Sequence, residues 1–154
     1  MSLPKTLILG QPFNQDFGGG ITQANLFAGW DKDKIAVLCT DHMLHNLNTD
    51  VCDTYYVLGE EEYKWMFPFS IMQRKVASGE RKMKPEEKKA APVAGKAGFR
   101  TRFIDQYFYP GLEYAGLFHA LSSIRLSDKL RGWLDAYNPD CIYAQATTRE
   151  AVLF

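Results

Sequence analysis

Cysteine is scarce in this chain: Cys39, Cys52 and Cys141 are the three among 154 residues, an odd number with no CxxC pair. A chain of this length can bury a core without disulfide staples, so a disulfide framework is excluded as its organising principle and a reducing, cytoplasmic compartment is expected. Long apolar runs are missing as well. The stretch Leu7-Ile8-Leu9 stops at Gly10, too short for a signal-peptide core or a membrane span. Net charge is absent too, because 18 Lys and Arg balance 18 Asp and Glu; the overall field gives no pull toward nucleic acid or anionic lipid. The dinucleotide GxGxxG, the GxxxxGK phosphate loop and the GxSxG nucleophile elbow do not occur. Disorder of the whole chain is excluded by what is present, 46% hydrophobic and 14% aromatic residues.

The charge is unevenly placed. From Arg74 to Arg102 ten basic residues stand against Glu80, Glu86 and Glu87, so that stretch carries +7 and the remainder −7. Within it, residues 78–98 lose apolar periodicity and are dominated by Gly, Pro, Ala and Lys. They read as a flexible basic insertion in a single domain spanning residues 1–154.

On either side the pattern alternates. Thr6–Gly10, Lys34–Thr40, Thr54–Leu58 and Cys141–Ala144 are short continuous apolar runs, the signature of buried strands. Gly18-Gly19-Gly20 opens a stretch with Ile21, Ala24, Leu26, Phe27 and Trp30 near helical spacing. Ser127 is placed to cap a helix whose Leu130, Trp133, Leu134 and Tyr137 share a face, with Asn138-Pro139-Asp140 ending it. Residues 63–76 are expected to be wholly or partly helical, 103–121 helical beyond Pro110, and 147–154 the start of another helix. The aromatic runs 63–69 and 103–109 are expected mainly in the core, with a stacking surface for sugar rings or lipid as the other use of such residues.

This alternation predicts an α/β fold: a Rossmann-like, doubly wound, mainly parallel sheet with helices on both faces. Ligands of such sheets lie beyond the carboxyl ends of the strands, near the point where strand order reverses. Three loops qualify, residues 11–20, 40–46 and 145–148. In the first, glycines before a helix let the backbone approach an anion, and the first N–H groups of that helix have no internal acceptor. Gly18, Gly19, Gly20 and Ile21 are therefore the leading candidates for substrate binding, joined by Asp16, Asp41, His42 and Gln145. A side chain at Gly19 is expected to block a positive φ and close approach to the ligand. The same run also reads as a plain flexible turn. Cys39, His42 and His45 recur at three-residue spacing without a fourth ligand, so no metal site is expected.

The N-terminal strand, the loop Gln11-Pro12-Phe13, the run Gly18-Gly19-Gly20-Ile21 and the later stretch Leu134 to Gln145 together resemble the acceptor-side domain of GT-B glycosyltransferases of family 4. The resemblance implies retaining, metal-independent sugar transfer with a nucleotide-sugar as co-substrate and no further cofactor. It implies a glycan or lipid-linked acceptor, backbone N–H groups of residues 18–21 near donor diphosphate or acceptor, and a second Rossmann-like domain holding the donor. The chain then reads as an N-terminal fragment that is inactive by itself, cytoplasmic and possible to place peripherally at the inner membrane face. Tyr143 and Gln145 stand where that family often has histidines, which withdraws any role needing an imidazole there. The alternative is a non-enzymatic Rossmann-like binding domain whose basic insertion meets an anionic surface, membrane or nucleic acid.

Overall fold

The computed structural model describes residues 3–15, 18–67, 69–72, 75–84, 103–115 and 122–145. Ten elements follow in chain order: β1 (Thr6–Leu9), α1 (Gly18–Leu26), β2 (Ile35–Thr40), β3 (Thr54–Leu58), β4 (Tyr63–Trp65), β5 (Gly79–Lys82), α2 (Tyr109–Tyr114), β6 (Ser122–Ile124), α3 (Asp128–Tyr137) and β7 (Cys141–Ala144). Five strands form one sheet in the order β5-β3-β2-β1-β7, and β4 pairs with β6 in a separate two-stranded sheet.

The four apolar runs are the parallel core of the large sheet. β1 lies between β2 and β7, with Leu9 opposite both Leu38 and Ala144, and β2 continues in parallel to β3. Because strand side chains alternate between faces, β1 to β3 bury two sets. Ile8, Val37, Cys39 and Tyr55 lie on one face, against Phe27 of the α1 segment with Ala24 and Trp30 beside it. Leu7, Ala36, Leu38 and Tyr56 lie on the other, against Leu130 of α3 with Trp133, Leu134 and Tyr137 beside it. One helix per face makes this an α/β sheet of Rossmann-like arrangement. Ile21 and Leu26 depart from the expected apolar spacing: both are exposed, and Gln23 takes a buried place on α1 instead.

The α3 prediction holds in detail. Ser127 Oγ accepts the Leu130 N–H at its start, and Asn138 ends it with a left-handed φ of 47°. The chain then returns to β1: Asp140 accepts the Lys5 N–H at 2.8 Å, the Asp140 N–H donates to Lys5 O at 2.7 Å, and Lys5 Nζ lies 4.2 Å above the Tyr137 ring.

Three expectations are corrected or narrowed. The start of the basic stretch is no loop: Ser78 is buried, and Gly79–Lys82 forms β5, antiparallel to β3 with Tyr55 opposite Arg81. GERK has no apolar residue to announce a strand; ladder bonds and side-chain ties hold it, with Trp133 Nε1 donating to Glu80 at 2.8 Å. Residues 63–76 are helical only in part: among their described residues Tyr63–Trp65 forms β4, and a single tight helical turn follows over Phe69–Met72. The helix expected beyond Pro110 is already under way at Ile104, as a wide π-type turn over Ile104–Phe108 that runs into α2. Residues 85–102 of the basic stretch, 116–121, and the expected helix at 147–154 lie outside the described residues.

Candidate functional site

Strand order reverses at β1. The chain runs outward from β1 through β2 to β3 and returns to place β7 on the other side of β1. The crevice of such a sheet therefore opens where β1 and β7 end, just past the pair Leu9 and Ala144. Gly10 and Gln145 are the next residues on the two strands. Gly10 turns the chain with a φ of 89°, while its N–H donates to Leu38 O at 2.8 Å.

The loop leaving β1 leans toward β2. Asn14 forms an isolated bridge with Leu47, the Asn48 N–H donates to Phe13 O at 2.8 Å, and Phe13 is fully buried. That covers the β1–β2 side, and the first turn of α1 packs on the same loop, at Gln11 and Asn14. Gly18, Gly19 and Gly20 form the first turn of α1. Their distinct roles depart from expectation. Gly19 has an ordinary helical backbone, and a Cβ there would meet the Gln11 side chain at 3.6 Å, an ordinary contact. Gly20 is the position that needs glycine, because a Cβ would collide with Asn14 Oδ1 and lie 2.8 Å from the Asn14 backbone nitrogen. The positive φ expected of the run belongs to Gly10.

Beneath this loop lies a polar group that the sequence pattern did not single out. Gln23 is 3% exposed, its Nε2 donates to Gln11 O at 2.9 Å, and its Oε1 is buried without a hydrogen-bond partner. A buried acceptor left unpaired costs about 1–3 kcal/mol, so it is a place where a ligand or water donor is gained at little expense. The helix start supplies donors by its geometry, and Gln23 supplies an acceptor.

The other candidates scatter. Ile21 is exposed on α1, and Gln145 is exposed just past β7. Asp41 and His42 sit in a tight turn after β2, where Asp41 is committed to Arg81 of β5 at 2.7 Å. This draws Asp41 toward the β3–β5 side of the sheet. His45 Nδ1 lies 3.1 Å from His42 O. Cys39 is buried, with its thiol pushed up by burial first and then by the neighbouring Cys52, while His42 and His45 are exposed, so the three do not converge. Among the described residues no group of three or more His, Cys, Asp or Glu is arranged to hold a metal. Asp16 lies outside the described residues.

A second polar centre sits away from the crevice. Glu62 is 0% exposed, yet its carboxylate is fully engaged. Oε1 accepts from Tyr56 OH at 3.1 Å and Ser127 Oγ at 2.5 Å; Oε2 accepts from the Gly59 N–H at 3.0 Å and from Ser78 Oγ. Burial works to raise its pKa, but the hydrogen bonds of Ser127, Ser78, Gly59 and Tyr56 outweigh it and hold the carboxyl below its ordinary 4.5. Burial, then the Glu62 charge, pushes the Tyr56 phenol up. With every carboxylate position occupied, Glu62 ties β3, β5 and α3 together and has no lone pair left for chemistry.

No family model, curated protein or solved structure matches this chain. Among the described residues no helix is long and apolar enough to cross a membrane.

Proposed function

We propose that this chain is the acceptor-side, Rossmann-like part of a GT-B glycosyltransferase of family 4, which transfers a sugar from a nucleotide-sugar to a glycan or lipid-linked acceptor. One observation carries the reading: the glycine-opened helix α1 follows the loop that leaves β1, the strand at which strand order reverses, and the unpaired acceptor Gln23 Oε1 lies beneath the same loop. Helix N–H groups suit phosphate or acceptor oxygens, and a lone buried acceptor suits a hydroxyl; a sugar or sugar phosphate presents both. In this reading the donor is held chiefly by a second Rossmann-like domain, transfer is retaining and needs no metal, and the protein works in the cytoplasm at the inner membrane face.

The test is saturation-transfer NMR on the chain with free glycans and with UDP- and GDP-sugars. Sugar-ring signals that disappear in Gln23→Met support the reading. Absence of any sugar signal overturns it, and turnover of a nucleotide-sugar by this chain alone overturns the division of labour between two domains.

A further inference from the structure

β5 stands at one end of the five-stranded order, and among the described residues it pairs with β3 alone. None of Gly79, Glu80, Arg81 and Lys82 is buried, so the strand brings no apolar side chain to the core. Backbone pairing without packed side chains is marginal in water, so the ties that side chains make decide whether such an edge stays in place. Those ties share one chemistry. Ser78 Oγ, just before the strand, donates to Glu62; Trp133 Nε1 donates to Glu80 Oε2 at 2.8 Å; Arg81 donates to Asp41 Oδ1 at 2.7 Å. Each ends on a carboxylate, one from the β3–β4 turn, one from β5 itself and one from the turn after β2. The remaining supports are Lys129 Nζ and the Gly59 N–H, which bond Ser78, and Met83, which packs half-buried against the core and donates its N–H to Asp53 O at 2.8 Å.

We propose that β5 is a releasable edge strand, latched by Glu62, Glu80 and Asp41 while they are charged and let go in acid before the parallel strands separate. Protonation weakens all three ties together, because a charge-assisted hydrogen bond falls to a neutral one and the Arg81 ion pair is lost. The charged and titratable groups around the latch are Tyr56 on β3, Glu61 beside Glu62, Arg125, Asp128 and Lys129 at the start of α3, and Cys39 and Arg81 around Asp41. In acid the carboxylates lose their charge while Arg81, Lys82, Arg125 and Lys129 keep theirs, so repulsion adds to the lost ties. The parallel strands have no such dependence. β1 and β2 are held by Leu7, Ile8, Val37 and Leu38, all buried and uncharged. Release of β5 uncovers the outer edge of β3, whose backbone is then open to pairing with another strand. The device is independent of the transferase reading, and it is measured without sugar or turnover.

The experiment is hydrogen exchange of the whole chain, read by mass spectrometry from neutral to acid pH with labelling times corrected for the intrinsic exchange rate. The amides of residues 79–83 are expected to lose protection at a higher pH than those of residues 6–9 and 35–40. At neutral pH the double variant Asp41→Asn, Glu80→Gln is expected to exchange residues 79–83 about tenfold faster than the parent while β1 and β2 are unchanged. Lys82→Gln, at a charge that takes part in none of these ties, is expected to leave the exchange as it is. Protection lost from β5, β1 and β2 at one pH is a single unfolding and overturns the proposal. So does exchange of residues 79–83 that the double variant leaves unchanged, and so does an equal acceleration in Lys82→Gln, which assigns the effect to edge charge alone.

Discussion

The hydroxyl of Ser127 donates to Glu62 Oε1 at 2.5 Å while its oxygen accepts the Leu130 N–H at 3.0 Å. One side chain thus caps α3 and fills a lone pair of a carboxylate 65 residues earlier in the chain. The start of the helix is thereby fixed to the end of β3, and the state of that carboxylate is coupled to both.

Because the folded carboxyl titrates below its ordinary 4.5, the unfolded chain binds more protons as acid is added. The stability that Glu62 contributes is therefore full above the ordinary carboxylate range and is lost as pH falls through its lowered folded value. Urea midpoints measured from neutral to acid pH are expected to fall on that limb. Glu62→Gln is expected to lose about 2–3 kcal/mol at neutral pH and to flatten the limb, since an amide places a donor against hydroxyls that already donate. A limb equally steep in the variant assigns the acid loss to other groups.

The glycine run separates by position. Gly20→Ala is expected to cost about 1–3 kcal/mol because the loop backbone at Asn14 has to move. Gly19→Ala is expected to be neutral, or stabilising by up to about 1 kcal/mol, since a helical backbone gains from losing glycine's unfolded freedom. Thermal or urea unfolding of the two variants distinguishes them, and equal losses would show that the first turn fails as a unit.

Asp41 and Arg81 form a part-exposed pair. Asp41→Asn, Arg81→Gln and the double variant are expected to give a coupling below about 1 kcal/mol, screened by salt. A larger coupling that persists in high salt would make the pair a structural bolt between the β2 turn and β5.

Thiol labelling is expected to find one cysteine of three in the native protein. Cys39 and Cys52 are buried, and burial pushes the Cys52 thiol up to about 12; Cys141 is exposed on β7. A maleimide at neutral pH is expected to modify Cys141 promptly and the other two only in urea. Equal rates at all three sites would indicate an opening of the core.

The parts legible in the sequence were those in which neighbouring residues carry the information. The strands β1, β2, β3 and β7 announce themselves as apolar runs, and Ser127 sits ahead of Leu130 and Trp133 at cap and helix spacing. What escaped is held by partners far along the chain. β5 is a strand because β3 pairs with it and Trp133 and Asp41 hold its side chains. β4 shows one turn of alternation, Tyr63 and Trp65 about an exposed Lys64, too short to outvote the helical spacing around it. At the candidate site the glycine run opening a helix was foreseeable, whereas the sequence left the point of strand-order reversal open among three loops. The burial of Gln23 was not foreseeable, because the apolar spacing on α1 favoured Ile21 and Leu26, which face outward. Glu62 gives no local sign, since its donors stand at positions 56, 59, 78 and 127.

β1 lies between β2 and β7, and of these β7 comes from far along the chain: Thr6 and Cys141 touch across 135 positions. β1, β2 and β3 can assemble from nearby sequence, but one edge of β1 must wait for the 135 further positions that bring Cys141 before it is covered. Closing so long a loop carries a larger entropic cost than the local pairings, so β7 is expected to dock late. During synthesis, a half-built sheet therefore emerges with the apolar strand β1 open along one side. In the cell, the interval before β7 arrives is when this protein most needs a chaperone.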